Sequence, residues 1–327
     1  MKSALADYDV AYFPWPRHVV PPAVPRAVVA TFHDFNHKHR FGNYLPEHFD
    51  EMDAEMIEWL GGRVQPVAST RFIADELDSY YPMRTNEPRI VYLSTFATSA
   101  PTPEEVQAVV RRFGLPSAYL LCPTNLGPHK NVIRLLRAMG ELHRRGVEAS
   151  LVLTGSGTQC VGVDPTSDPL YATYFRTYID EANQVIRDEG LVPGSTLFSL
   201  GYVTDAEMDA LVKGASMVVA PSMYEAGSGP ALDAWQIGTP VVSSALPSVI
   251  EQISFLGTEA VLFDPESVGG MVAALEQALD DPQALGEMAE RSRVAMSRYT
   301  WGDVANGYLE VFRDTAARPV GPDDRDR

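Results

Sequence analysis

The segment MVVAPSMYEAGSGPALDAWQIGTPVVSS, residues 217–244, decides the fold of this chain. Its first four residues, 217–220, form a short apolar run closed by a proline, which is typical of a buried strand. Residues 225–230 form a glycine-containing turn, and the proline at its end is tolerated in the first turn of a helix. Residues 231–237 then indicate a helix, and residues 240–243 the next strand. The segment therefore predicts a strand, loop, helix and strand of a parallel sheet.

The glycine-containing turn is a candidate anion site. At a helix N-terminus the free N–H groups and the positive end of the helix dipole point the same way. Gly227 and Gly229 carry no side chain, so a ligand can approach the backbone there closely. Glu225 and Asp233 flank the turn, and their carboxylates can accept hydrogen bonds from sugar hydroxyls.

The same stretch carries a family resemblance. The pattern YE-(x)7-D at residues 224–233, followed by GTPVV at residues 238–242, resembles the nucleotide-sugar signature of retaining glycosyltransferases of family 4, which have the GT-B fold. In that family the first acidic residue lies by the donor sugar and the second, usually Glu, holds the ribose. The resemblance implies these roles for Glu225 and for Asp233, whose side chain is one methylene shorter. It also implies donor contacts for three residues of the turn, Gly227, Ser228 and Gly229.

A candidate phosphate-binding lysine follows the first strand of the second domain. The run PHKN at residues 128–131 resembles the family's Pro-Arg-Lys-Asn, whose lysine contacts the donor phosphates, so the resemblance implies this role for Lys130. A fixed cation stabilises the departing diphosphate more in the transition state than in the ground state. Where many family members carry an additional arginine, this chain has Thr124 and Asn125. Asn125 can donate only neutral hydrogen bonds to the donor, and His129 would add charge if it were protonated.

Two further strand ends contribute to the implied donor site. GSG at residues 155–157 follows a strand and matches the family's Gly-x-Gly by position, which places Gly155 at the donor. GYV at residues 201–203 follows the next strand, where family members contact the base. The resemblance therefore implies that Tyr202 and Val203 face the base without identifying it.

In the first domain, His33-Asp34 follows the apolar run of residues 27–32, at the strand end where open α/β sheets bind ligands. The pair resembles the family's His-Asp, whose histidine lies near the reactive face of the sugar. This implies positioning or electrostatic assistance by His33 rather than nucleophilic attack. His37 and His39 raise the alternative of a metal site. Their spacing fits no standard site and the family usually works without a bound metal, so we expect no metal and no cofactor besides the nucleotide-sugar substrate.

Composition limits the class of protein. The 327 residues, 45% hydrophobic and 21% charged, are typical of a folded chain with room for two domains. The net charge of −17 argues against nucleic-acid binding. The two cysteines have no metal-binding spacing, and we expect a reduced, cytoplasmic protein. Neither a transmembrane run nor a signal peptide is predicted.

The alternation of strands and helices, with the resemblance, predicts an α/β protein of the GT-B fold with two Rossmann-like domains and parallel sheets. Residues 1–116 would form a shortened N-terminal, acceptor-side domain, and residues 117–315 the nucleotide-sugar-binding domain, whose last helices cross back to the first. Residues 316–327 would be a disordered tail. The first domain is incomplete against its fold class, so a homodimer contact or a partner is expected to cover its exposed sheet edge.

These features predict a retaining glycosyltransferase that moves a sugar from a nucleotide-diphosphate donor to a hydroxyl of a glycan, lipid-linked or small-molecule acceptor. NLGPHKN at residues 125–131, with YFPWP at residues 12–16 and His33-Asp34, most resembles bacterial members that transfer mannose or related sugars to glycan or lipid-linked acceptors, so GDP-mannose is favoured over a UDP-sugar. One alternative is a non-catalytic or partner-dependent nucleotide-sugar-binding subunit. Another is a nucleotide-sugar epimerase with the same fold, against which the pattern at residues 224–233 counts.

Overall fold

The chain forms two compact units in the computed structural model, which describes residues 8–16, 27–39, 46–61, 64–84, 86–97, 100–164, 168 and 176–318. The first unit contains Met1–Ser94 and Tyr299–Arg327, and the second contains Thr95–Arg298. Most of the predicted tail, residues 319–327, lies outside the described residues.

Along the chain the described residues form ten strands and twelve helices. In order they are β1 (Val10–Phe13), β2 (Ala27–Phe32), α1 (Asn36–His39), α2 (Pro46–Leu60), β3 (Val64–Ala68), α3 (Arg71–Tyr80), β4 (Arg89–Ile90), α4 (Pro103–Arg112), β5 (Leu120–Pro123), α5 (Val132–Arg144), β6 (Leu151–Thr154), α6 (Arg176–Asp188), β7 (Leu197–Ser199), α7 (Asp205–Gly214), β8 (Met217–Ala220), α8 (Gly229–Ile237), β9 (Val241–Ser244), α9 (Pro247–Leu256), β10 (Val261–Phe263), α10 (Val268–Asp280), α11 (Pro282–Met296) and α12 (Trp301–Ala316).

The first unit contains a four-stranded parallel sheet in the order β1-β2-β3-β4. Helix α12 packs on this sheet, since its Val304 and Val311 share an apolar cluster with valines of β2 and β3. The hydroxyl of Tyr308 on α12 also hydrogen-bonds Thr31 of β2 at 2.8 Å. The last helix therefore returns to the first unit, as the GT-B prediction requires.

Strand β4, Arg89–Ile90, is only two residues long. Beyond Ile90 the chain makes two hydrogen bonds to Tyr299. Its hydroxyl donates to the carbonyl oxygen of Tyr92 at 2.9 Å, and its own carbonyl oxygen accepts from the hydroxyl of Ser94 at 3.0 Å. These bonds tie the segment after β4 to the residue that precedes the N-cap of α12.

The second unit contains a six-stranded parallel sheet in the order β10-β9-β8-β5-β6-β7. The chain runs from β5 outward to β7, then crosses to β8 and runs outward to β10, so β5 and β8 are neighbours in the middle. In an open α/β sheet the crevice at such a reversal of strand order is where ligands bind. The loops after β5 and β8 therefore face the predicted ligand position.

Helix α4 belongs to this second unit, although the sequence interpretation placed residues up to 116 in the first domain. Arg112 of α4 forms an ion pair with Glu207 of α7, and the compact unit begins at Thr95. Residues 95–116 are thus part of the second unit.

Two helices in and after residues 217–244 differ from the sequence prediction. Helix α8 begins at Gly229, two residues before the predicted start, because the hydroxyl of Ser228 caps it by accepting from the N–H of Ala231 at 3.3 Å. Helix α9 was not predicted at all. It has Pro247 in its first turn and ends at Gly257, whose φ of +71° suits a glycine.

Candidate functional site

The candidate site lies where the loops after β5 and β8 approach each other. Lys130 ends a short 3₁₀ turn after β5, and Glu225 lies in the loop after β8. The Nζ of Lys130 donates to Oε1 of Glu225 at 2.6 Å, with the two side chains 20% and 17% exposed. The structure therefore brings together the two residues predicted to contact the phosphates and the sugar.

Two serines hold Glu225 in place. The hydroxyl of Ser222 donates to the same Oε1 at 2.7 Å, and the hydroxyl of Ser248 on α9 donates to the carbonyl oxygen of Glu225 at 2.5 Å. Ser222 and Ser248 are buried. Neither serine was predicted from the sequence. Ser248 depends on α9, for which Pro247 and Gly257 were the available sequence signals.

The loop after β5 is itself shaped by its own side chains. The Oδ1 of Asn125 accepts from the N–H of Gly127 at 2.8 Å, which closes a tight turn. A side chain at Gly127 would collide with the ring of His129, since an added Cβ would lie 2.6 Å from that ring. The carbonyl oxygen of His129 in turn accepts from the N–H of Met223 at 2.7 Å, which joins this loop to the one after β8.

His129 does not supply a second positive charge. The pKa of His129 is lowered to about 4, mainly by burial and also by the charge of Lys130, with Glu225 opposing both effects. The imidazole is therefore neutral near pH 7. Lys130 is then the residue of this loop that brings a positive charge to the candidate site.

The loop after β6 packs against the loop after β5, and the loop after β7 packs against the loop after β6. Gly155 has a φ of +123°, and an added Cβ would lie 1.8 Å from the carbonyl oxygen of Thr124, so only glycine fits. The N–H of Gly155 donates to the carbonyl oxygen of Gly201 at 2.7 Å. Next to Gly201, Tyr202 is 82% exposed while Val203 is buried. The predicted base-contacting residues thus sit beside the predicted Gly-x-Gly.

In the glycine-containing turn, Ser228 is occupied by protein contacts. Its N–H donates to Oε1 of Gln252 on α9 at 3.0 Å, and its hydroxyl caps α8. A Cβ added at Gly227 would lie 3.4 Å from Nε2 of the same glutamine. Gln252, which was not predicted, therefore supports the turn. A donor that bound the Ser228 N–H would displace the Gln252 side chain.

Asp233, on α8, binds the segment that opens the second unit. Its Oδ1 accepts from the hydroxyl of Thr95 at 2.8 Å, from the N–H of Phe96 at 2.7 Å and from the N–H of Ala97 at 2.9 Å. Burial raises the pKa of Asp233, these three hydrogen bonds oppose the rise, and Asp209 adds to it. One oxygen of the predicted ribose-binding carboxylate is thus committed to residues 95–97.

His33 belongs to the first unit and lies directly after β2. Its Nε2 lies 3.0 Å from the carbonyl oxygen of Pro14, which can only accept, so Nε2 carries the proton and Nδ1 keeps a lone pair. The imidazole stacks on the indole of Trp15, with ring centroids 5.2 Å apart and an interplanar angle of 18°. Burial lowers the pKa of His33, against the Pro14 bond and Asp34, so the ring is neutral at pH 7.

The other two histidines of this segment have separate partners. His37 Nε2 lies 3.0 Å from the hydroxyl of Tyr81, and His39 Nε2 lies 2.7 Å from Oε1 of Glu76. Over the parts of the chain that the structure describes, no three His, Cys, Asp or Glu side chains come together as a metal-binding group. Both cysteines, Cys122 and Cys160, are buried and free.

Two units with parallel sheets, and a charged site at the carboxyl ends of β5 and β8, define a GT-B type of α/β transferase fold. Residues 108–295, more than half of the chain, match the family described as Glycosyl transferases group 1. The chain belongs to this family.

Curated relatives include mannosyltransferases and the glycogen synthase of Mycobacterium tuberculosis, which is 31% identical over 60% of this chain and 42% of that protein. The chain is 32% identical over 117 residues to the MMP alpha-(1->4)-mannosyltransferase of Mycolicibacterium hassiacum, covering 36% of this chain and 28% of that protein. It is 24% identical over 314 residues to the O-antigen chain mannosyltransferase B of Escherichia coli, covering 95% of this chain and 76% of that protein. The chain spans about a quarter of the length of the first curated relatives it matches.

Solved structures share the fold. The sucrose-phosphate synthase of Thermosynechococcus elongatus superposes with a TM-score of 0.72 at 16% identity, over 95% of this chain and 75% of that one. Within the described ranges, no helix has both the length and the apolar character needed to cross a membrane.

Proposed function

We propose that the chain is a retaining glycosyltransferase that moves a sugar from a nucleotide diphosphate to a hydroxyl acceptor. The observation that carries this proposal is the Lys130–Glu225 pair, 2.6 Å apart, in the loops that follow the two central strands, β5 and β8. At this position the cation suits the diphosphate of the donor, and the carboxylate suits the hydroxyls of its sugar. Both residues lie inside the family-matched range, 108–295.

In the proposed reaction Lys130 stabilises the diphosphate as it gains negative charge, and Glu225 accepts hydrogen bonds from the sugar hydroxyls. The acceptor hydroxyl forms the new bond at the anomeric carbon while the bond to the phosphate breaks. The acceptor's proton passes to the leaving phosphate oxygen. His33 assists through positioning or electrostatics, and as a neutral imidazole with a lone pair on Nδ1 it can accept a hydrogen bond.

The nucleoside would lie along the loops after β5, β6 and β7. We assign the base to Tyr202 and Val203 and the ribose to Asp233. Because Oδ1 of Asp233 is bound to residues 95–97, Oδ2 is the oxygen we assign to the ribose. The remaining donor contacts are proposed for Asn125, Gly155 and the turn formed by Gly227, Ser228 and Gly229.

GDP-mannose is the donor we favour, with a cytoplasmic role in glycan biosynthesis. Two relatives named as mannosyltransferases support this choice. The competing donor is a UDP-sugar. The acceptor in either case is a glycan, a lipid-linked sugar or a small molecule with a free hydroxyl.

A thermal-shift screen of the full chain against GDP, UDP, dTDP and ADP, and their sugars, tests the proposal. A ligand at 100 times its Kd stabilises the folded state by about 2.7 kcal/mol, which is a visible rise in Tm. We expect a selective shift with GDP and GDP-mannose, followed by release of GDP when the sugar nucleotide is incubated with the protein. A selective shift with UDP would overturn the donor assignment, and no shift with any nucleotide would overturn the donor site.

A second candidate function is a nucleotide-sugar-binding subunit that needs a partner for catalysis. The observations that favour it are the neutral His129 and the engagement of the Ser228 amide by Gln252. Both leave the donor fewer contacts than the family pattern implies. Binding of a nucleotide sugar without release of the diphosphate would favour this candidate over the transferase.

A further inference from the structure

Asn131, directly after Lys130, has an unusual backbone conformation. Its φ of +60° is the only positive φ among the described residues other than glycine. Asparagine tolerates this left-handed region better than most side chains, but the conformation still carries a cost that the surroundings must offset. The residue is 3% exposed, so its side-chain amide has to find its hydrogen-bond partners inside the protein.

The amide finds those partners on two other loops. Its Nδ2 donates to the carbonyl oxygen of Pro221 at 2.9 Å and to that of Pro265 at 2.8 Å. Its Oδ1 accepts from the guanidinium of Arg134 at 3.0 Å. Pro221 follows β8, and Pro265 follows β10 closely. One buried amide therefore joins the loops after β5, β8 and β10, with both of its protons used.

This junction fixes the two charged groups of the site relative to each other. Lys130 is the residue before Asn131, and Pro221 begins the loop that contains Ser222 and Glu225. A shift of the Pro221 carbonyl would carry Ser222, which holds the Glu225 carboxylate. Misplacement of a catalytic group by about 1 Å can lower a rate by about 100-fold.

We propose that Asn131 is a positioning residue that holds Lys130 and Glu225 in register at the departing diphosphate. The inference rests on the proposed transferase function, since it assigns no new ligand. It differs from a packing role because the amide acts through two carbonyl oxygens on the loops that surround the site.

Asn183 provides a matched control. It is a second buried asparagine of the same unit, 8% exposed, and its side chain also joins backbone segments. Its Oδ1 accepts from the N–H of Gly162 at 2.7 Å and its Nδ2 donates to the carbonyl oxygen of Cys160 at 3.2 Å. None of these partners belongs to the loops after β5 or β8. These partners lie in the segment after β6, beyond Gly155, so a substitution at Asn183 removes a comparable pair of buried hydrogen bonds without touching the loops that carry Lys130 and Glu225.

The experiment compares Asn131→Asp, Asn131→Gly and Asn183→Asp in the full chain, with release of GDP from GDP-mannose to water as the assay. Asn131→Asp keeps an acceptor for Arg134 and removes both donors, whereas Asn131→Gly permits the positive φ and removes all three hydrogen bonds. Rates are expressed per nucleotide-binding site, counted by calorimetric titration with GDP, so that a fraction of unfolded protein does not lower kcat. Each assay is run well below the Tm of the variant.

We expect both Asn131 variants to lower kcat by about 10- to 100-fold with KM changed less than about threefold. Asn183→Asp should lower Tm by a similar amount and leave kcat within about twofold of the wild-type value. Lys130→Ala should also cost less in the Asn131→Asp background than in the wild type, because a misplaced lysine has less catalysis to lose.

Three results would overturn the positioning role: a folded Asn131→Asp variant with wild-type kcat, an equal loss of kcat in Asn183→Asp, or failure of both Asn131 variants to fold. A wild-type chain that binds no nucleotide sugar and releases no diphosphate would instead overturn the proposed function itself. The wild-type measurement comes first, so the two failures are distinguished.

Discussion

Glu225 and Asp233 are the two carboxylates of one signature, but the loop and the helix that carry them hold them differently. Glu225, in the loop after β8, is bound by a charged amine and a hydroxyl. Asp233, on α8, is bound by two backbone N–H groups and a hydroxyl. A bound donor can offer a phosphate to Lys130 and a sugar hydroxyl to Glu225 in place of the contact between them. The backbone N–H groups that bind Asp233 cannot be exchanged in this way, because their positions are set by the path of the chain. The loop carboxylate is thus suited to ligand exchange, and the helix carboxylate also anchors structure.

The largest effect should follow from substitutions in the charged pair. Lys130→Ala and Glu225→Ala are each expected to lower transfer by at least about 100-fold, because one group stabilises the diphosphate and the other contacts the sugar. Steady-state kinetics and circular dichroism check the loss and the retained fold. Arg145→Ala is the matched control, since Arg145 pairs with Glu141 and Glu276 at the surface. Near-normal turnover in either site variant would show that the Lys130–Glu225 pair does not act on the donor, and Glu225 would then be a structural carboxylate like Asp233.

A smaller effect is expected at Asp233, and here it should appear in stability. Asp233→Ala leaves three donors without their acceptor and should lower the free energy of unfolding by about 1–3 kcal/mol. Asp233→Glu restores the usual family residue and should preserve or improve GDP binding. Urea denaturation and calorimetric titration measure the two quantities. Complete loss of GDP binding in Asp233→Glu would show that the carboxylate is used differently here than in the family.

The pH dependence of the Tm should report on His129, in the loop after β5. Because the pKa of His129 is lowered to about 4, the unfolded state binds the proton more readily between about pH 6.5 and pH 4. The contribution of neutral His129 is therefore fully present above about pH 6.5 and is lost as pH falls toward 4. His129→Gln should flatten the fall in Tm over this window. An unchanged pH profile in this variant would show that His129 is solvated rather than buried in the loop.

The smallest effect concerns the cap of α8. Ser228→Ala should lower the free energy of unfolding by about 1 kcal/mol, as the loss of an N-cap usually does, and should also weaken GDP binding. Ser267→Ala removes the equivalent cap of α10, where the hydroxyl accepts from Gly270 N–H at 2.9 Å, and should change stability alone. Equal GDP affinity in the two variants would show that the Ser228 hydroxyl caps α8 without contributing to the donor site.

Much of the second unit follows from local sequence. Strand β8 has the predicted bounds, residues 217–220, and the Lys130–Glu225 contact follows once β5 and β8 are neighbours. The close approach of Thr124 also explains why position 155 of the predicted Gly-x-Gly is a glycine. What the sequence did not indicate are contacts between distant segments. The bonds from Thr95 to Asp233 and from Ser248 to Glu225 depend on how the chain packs, and neither residue type has a periodicity that predicts such a partner.

The position of α12 has a consequence for synthesis of the chain. The first unit is interrupted at Ser94 and resumes at Tyr299, and α12 supplies Val304, Val311 and the Tyr308 hydroxyl to its sheet. During translation the second unit can therefore fold as soon as it emerges from the ribosome, because domains generally fold as units. The first unit has to wait, with Val29 and Thr31 uncovered, for nearly the whole chain. Nascent chains released before residue 299 should be cut by protease in the first unit while the second unit resists.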